Sequence, residues 1–290
     1  MTTHDWQPWT PGRYQLGEGA RWHESRLYFV DLLQGILYGC HPNRARHPWR
    51  ELDLDMPLGA VAPVAGRPGQ WIAAVGTGVA LLRPGCQPHW LARVPAAAGH
   101  RLRMNDGACD SAGRFWATSM AVDAARGVGA LHRIDPDGSA HRVLTGLTVP
   151  NGPAFDATGT TLYLADSAHG TITAYRVHSF SGRLGPARTL VRLAPEEGRP
   201  DGMTVDDRGL LWVALWGAGR VHCYNARGLL KAVLAVPAAN VSSVAFGGGR
   251  MYVTTALHRL AAPGPLAGAV LARPCTVTAP AAAPFRPHLP

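Results

Sequence analysis

Three short steps of the chain place an oxygen-bearing side chain directly before a glycine: Glu18-Gly19, Asn151-Gly152 and Asp201-Gly202. Brought together, two carboxylates and an amide oxygen form a hard, all-oxygen donor set. Such a set suits a divalent cation whose remaining positions are filled by water. Without a cation, converging carboxylates at low dielectric repel one another, so the chemistry demands either a metal or a raised pKa. A single Asn-Gly or Asp-Gly step carries little weight, because these are the commonest turn dipeptides. The weight comes from their phase. Each lies 10 to 12 residues ahead of an aromatic residue, at Tyr28, Tyr163 and Trp212 respectively.

Those aromatics belong to a longer series that the fold must explain. The stretch PDGMTVDDRGLLWVAL (200–215) reads as a β-hairpin with a carboxylate at its mouth, Asp-Asp-Arg-Gly supplying the turn. Equivalent runs carry Tyr28, Trp71, Trp116, Tyr163, Trp212 and Tyr252, at steps of 43, 45, 47, 49 and 40 residues. Each is followed by a further strand-like run: GILYGC, GVALLR, GALHRI, GTITAYRV, GRVHCY and GAVLAR. A repeat of this length built from strands and turns predicts an all-β fold, a six-bladed β-propeller with a central metal-binding channel. The six aromatics are expected as core between blades. Positions of equal phase in a closed ring face the axis, so Glu18, Asn151 and Asp201 are predicted to converge. Asn105-Asp106-Gly107 and Ser242-Ser243 share the phase. Residues 1–275 are expected to form a single propeller. The Ala/Pro-rich tail 276–290 is expected to return along the surface or stay disordered. Residues 1–10 are candidates for a ring-closing strand, and PAAAGHR (95–101) for a loop capping one face.

Composition narrows the function classes. With 290 residues and 47% hydrophobic content the chain can bury a large core, while 34 Gly and 24 Pro exclude long helices. No apolar run approaches a membrane span, and MTTHDWQPW lacks the features of a signal peptide. The five cysteines are widely spaced, never in a C-x-x-C pair, which predicts reduced thiols and a cytoplasmic setting. The charge of +9 is spread over scattered arginines, with Lys231 the only lysine, so a nucleic-acid surface is not expected. There is no P-loop, G-x-S-x-G or H-E-x-x-H. None of the thirteen histidines occupies a mouth position by phase, and His169 and His222 read as surface or edge residues. Asp31 and Asp166, each ending an aromatic strand, read as carboxylates that cap backbone N–H groups.

Four segments, LGEGARW (16–22), RMNDGACDSAGRFWATSM (103–120), PNGPAF (150–155) and RPDGMTVDDRGLLWVAL (199–215), resemble the SMP-30/gluconolactonase/LRE-like family. VPAANVSSVAFGGGRMYVTTA (236–256) is similar to that family's last blade. The resemblance implies a six-bladed propeller, often a sugar-lactone hydrolase of the gluconolactonase type, with one divalent metal (Ca, Zn, Mg, Mn or Fe(II)). It implies metal ligation by Glu18, Asn151 and Asp201, the three residues that phase selects independently. It also implies substrate contact by Arg103 and Asn105. Asp106 and Asp123 are further pocket candidates, although a turn-holding role suits Asp106 better. Ala20 after Gly19 and Thr118-Ser119-Met120 after the third aromatic depart from the family pattern. The expected reaction is opening of a small-molecule sugar lactone by metal-activated water, with Asp201 as general base. The alternatives are a metal-binding propeller without turnover and an arylesterase-type hydrolase of related fold. A monomer or homodimer is expected.

Overall fold

The computed structural model describes residues 5–42, 47–95 and 99–288. Within the loop proposed as a cap, residues 96–98 lie outside the described residues. Among the described residues there are twenty-four strands, paired into six antiparallel four-stranded sheets. Blade 1 is β2(Gly17–His23), β3(Arg26–Asp31), β4(Ile36–Cys40) and β5(Trp49–Asp53). Blade 2 is β6(Leu58–Pro63), β7(Trp71–Val75), β8(Gly78–Leu82) and β9(His89–Arg93). Blade 3 is β10(Leu102–Cys109), β11(Phe115–Ala121), β12(Gly129–Ile134) and β13(Ala140–Leu147). Blade 4 is β14(Pro150–Phe155), β15(Thr161–Asp166), β16(Thr171–Val177) and β17(Leu184–Arg192). Blade 5 is β18(Arg199–Val205), β19(Leu211–Trp216), β20(Arg220–Tyr224) and β21(Leu230–Ala235). Blade 6 joins β22(Val241–Gly247), β23(Arg250–Thr255) and β24(Leu271–Pro274) to β1(Gln7–Pro8) from the beginning of the chain. The fold is an all-β, six-bladed β-propeller.

The expected ring closure is present. Gln7 and Pro8 pair with Ala272 and Leu271, so the last blade borrows its outermost strand from the first residues. The indole of Trp6 donates to the Ala235 carbonyl (2.8 Å) and ties this strand to blade 5. The first strands of successive blades, β2, β6, β10, β14, β18 and β22, contact one another in a closed ring. All six aromatics of the repeat are buried.

The hairpins that join first and second strands in blades 3 and 5 share a device. Asp206 Oδ1 accepts the N–H groups of Arg208 and Leu210, while Oδ2 accepts the Trp212 indole (2.9 Å). Asp110 does the same for Ala112, Arg114 and Trp116. A short carboxylate thus fixes both the turn and the core indole six residues on.

These hairpins lie at the end of the ring opposite the mouth, and the tail runs across them. Thr278 accepts from Asp207 N, Ala282 N donates to the Trp22 carbonyl, and Arg286 N donates to the Gly113 carbonyl. Phe285, with 0% exposure, bridges to Val64 and packs in the core between blades 2 and 3. The tail therefore returns along the surface, as one of the two expectations had it, and is pinned there by Phe285 in the core.

Candidate functional site

Each first strand carries an irregularity at its mouth end. Strand pairing slips between Glu18 and Arg21, Met104 and Gly107, Asn151 and Ala154, and Pro200 and Met203. A bulge re-aims a side chain within a strand, and here it falls on each residue that sequence phase selected. The X-Gly steps are therefore bulges, not turns. Gly152 shows why the glycine is required: its φ is +47°, and a Cβ there would meet the Asp201 carbonyl at 2.9 Å. A Cβ at Gly202 would meet the Ser242 carbonyl at 2.6 Å. The small residue lets neighbouring blades close on the axis while its predecessor faces inward.

Glu18, Asn105, Asn151 and Asp201 are all buried, with exposures of 7%, 7%, 6% and 4%. Asn105 Nδ2 donates to Asn151 Oδ1 (2.7 Å) and to the Pro150 carbonyl (2.9 Å), and Asn105 Oδ1 accepts from Arg103 Nη1 (2.5 Å). Asn151 Nδ2 donates to Ser167 Oγ (2.9 Å), whose hydroxyl donates to the Pro200 carbonyl (2.6 Å). A polar chain thus runs from Arg103 through both asparagines to the residue preceding Asp201. Asp201 Oδ1 is buried with no hydrogen-bond partner. An orphaned carboxylate oxygen is costly unless something positive or protonated meets it.

The electrostatics agree. Burial first, then the charges of Asp201 and Asp106, pushes Glu18 well above the usual carboxylate range. Burial first, then the charge of Asp106, does the same to Asp201, opposed by Arg103 and the Gly202 N–H. Burial lowers Arg103 to about 10, with Glu18 and Asp201 pulling back up and Arg259 pushing down. The donor set fits a hard divalent cation: two buried carboxylates held above their usual range by burial and neighbouring negative charge, an amide oxygen, and one acceptor with no donor. Among the described residues no three His, Cys, Asp or Glu side chains gather as a metal cage.

Several candidates stand elsewhere. Asp123 is exposed on the rim, where its carboxylate accepts from Ala125 N and pairs with His100 Nδ1 at 3.2 Å, apart from the buried cluster. Asp106 is at the axis but engaged: it accepts from Gly107 N (2.7 Å) and Gly152 N (2.7 Å) and lies 3.9 Å from Arg21. It holds the blade 3 and blade 4 bulges together. Ser242 and Ser243 stitch blade 6 to blade 1 through Gly17 O and Ala20 N. Asp31 caps Gln15 and Leu16, and Asp166 caps Thr148 and Val149, as their positions suggested. These caps fix where the inner strands of blades 1 and 4 begin.

Two histidines differ from the expectation. His222 is buried, not at an edge, with Nδ1 against the Tyr224 hydroxyl at 2.7 Å. His258 reaches the mouth despite lacking the repeat phase, because the long blade 6 loop carries it there: its N–H donates to Gln15 O, three residues before Glu18. Sequence phase also missed Ser167 and Arg259. Both lie in connections after second strands, where the repeat has no register to reveal them.

The model of the SMP-30/gluconolactonase/LRE-like region matches residues 16–257. A curated relative, pentonolactonase XacC of Haloferax volcanii, is 34% identical over 249 residues, covering 83% of this chain and 82% of that protein. Regucalcin of Gallus gallus is 30% identical over 262 residues, covering 84% of each. Among solved structures, a luciferin-regenerating enzyme superposes with a TM-score of 0.87 at 25% identity, covering 95% of this chain and 97% of that one. With a match from the first inner strand to the blade 6 loop, the chain belongs to the SMP-30/gluconolactonase/LRE-like family.

Proposed function

We propose that this protein hydrolyses sugar lactones, with Glu18, Asn151 and Asp201 holding one divalent cation at the channel mouth. The observation that carries the reading is the unpartnered, buried Asp201 Oδ1 beside a second carboxylate, in a chain similar to a pentonolactonase. A divalent cation there supplies Lewis acidity, polarising an ester carbonyl and making water more acidic.

The chain's own residues do the rest. Arg103 offers a planar fork to paired oxygens; Nη1 is engaged with Asn105 and the Met104 carbonyl, which fixes the plane of the group. Asn105 is clamped by two acceptors and one donor, so it orients a substrate hydroxyl without having to reorganise. Once its own proton is displaced, the Asp201 carboxylate takes a proton from water as general base, through the oxygen that the cation leaves open. Deep burial keeps these groups in a low dielectric, where aligned charges act most strongly.

The test is acid release from a panel of aldono-1,4- and 1,5-lactones, with spontaneous opening subtracted. Accelerated release from at least one lactone is the expected result. A panel opened no faster than in buffer, with a divalent cation present, would end the lactonase reading.

A further inference from the structure

Resting on the lactonase reading, we propose that Arg259 and Arg103 form an anion subsite at the mouth, selecting lactones that carry a second, anionic group. The loop that carries Arg259 is anchored beside the site: Leu257 N and His258 N donate to the Tyr14 and Gln15 carbonyls, just ahead of Glu18. The buried Asn240 side chain donates to the His258 carbonyl (2.9 Å). This bracing holds Arg259 at φ +61°, a left-handed conformation that a residue with a Cβ adopts only at a cost.

The side chain so presented is exposed and has no carboxylate partner among the described residues. Its charge bears on two other groups of the mouth, Arg103 and the half-buried His258, which burial, Arg259 and Arg103 keep below its ordinary pKa. Of the nearby acids, Asp106 is taken up by two backbone N–H groups and Arg21. Glu18 and Asp201 are balanced once a divalent cation is bound. Two guanidinium groups then remain uncompensated at one mouth, and like charges held together without a counter-ion mark a place for an anion. A neutral aldonolactone has nothing to offer Arg259. A lactone with a carboxylate or phosphate at its far end does.

The experiment has two readouts. The first is the ratio of kcat/KM for an anionic lactone to that for its neutral counterpart, run with an aldaric-acid monolactone and with a phosphorylated aldonolactone to separate the two anion sources. The second is calorimetric binding of an aldarate dianion and of a 6-phosphoaldonate against the matching aldonate, which needs no turnover. Wild type is expected to favour at least one anionic class, and that preference to weaken as salt rises. Arg259→Gly, which relieves the left-handed backbone and leaves melting temperature equal or higher, is expected to lower the ratio about tenfold. Neutral lactones opened with no anionic preference, or a preference intact in Arg259→Gly, would overturn this inference and leave the lactonase reading standing. If no lactone were opened the lactonase reading would fall, and equal binding of dianion and aldonate would remove the anion subsite as well.

Discussion

Asp201→Asn separates the two demands that the buried carboxylates make. In the metal-free protein, Asp201 is pushed toward its protonated form by burial and by Asp106. The amide mimics that form, so the variant is expected to melt at a higher temperature than wild type when chelator is present. With cation the order reverses. At 100 times its dissociation constant a ligand stabilises the native state by about 2.7 kcal/mol. The chain has 290 residues, for which the entropy of unfolding is about 0.6 kcal/mol per kelvin, so the wild-type shift is about 4 °C. Loss of one carboxylate ligand that weakens binding about 100-fold leaves about 0.4 kcal/mol at the same concentration, a shift below about 1 °C. Differential scanning calorimetry in chelator and in each cation reads both numbers. A metal-free variant that melts below wild type, or a cation shift that survives the substitution, would refute the placement of Asp201.

Metal-free wild type should lose stability as pH rises. Glu18 and Asp201 have folded pKa values above their unfolded ones, so the native state binds more protons from the ordinary carboxylate value near about 4 upward. Saturating cation should flatten that slope, and urea titrations at several pH values check it. Phe285→Ala removes a fully buried aromatic from the core between blades 2 and 3. It should cost about 3–5 kcal/mol in denaturant midpoint analysis; a loss below about 1 kcal/mol would show that the tail docks weakly. Asp106→Ala strands the Gly107 and Gly152 N–H groups at about 1–3 kcal/mol each. It should also weaken cation binding by loosening the Asn151 bulge, measured by calorimetric titration.

The repeat was legible because aromatics must recur wherever one blade packs on the next, and Tyr28 through Tyr252 kept that spacing. The buried acidic and amide positions were legible for a related reason: only a glycine lets adjacent inner strands close at the bulge, so Gly152 and Gly202 mark the residues before them. What escaped was set by connections rather than by phase. Ser167, which links Asn151 to the start of β18, sits in a turn after Asp166. His258 and Arg259 reach the mouth through a loop whose anchors, Tyr14, Gln15 and Asn240, come from elsewhere in the sequence. Asp123 shares local sequence with the expected pocket wall, yet an exposed pairing with His100 satisfies it on the rim. Composition left the tail as either a surface return or disorder; what decides for the return is one phenylalanine, Phe285, with a complementary gap between blades 2 and 3.

The central claim is that Glu18, Asn151 and Asp201 act together as the cation site on which lactone opening depends. The most direct test restores single divalent cations to metal-stripped wild type and to Glu18→Gln, Asn151→Ala and Asp201→Asn, and follows acid release from the best aldonolactone. Turnover in wild type that appears only with cation, and that falls by at least about 100-fold in Asp201→Asn, is the predicted outcome. Turnover that persists in chelator, or that survives in all three variants, would contradict it.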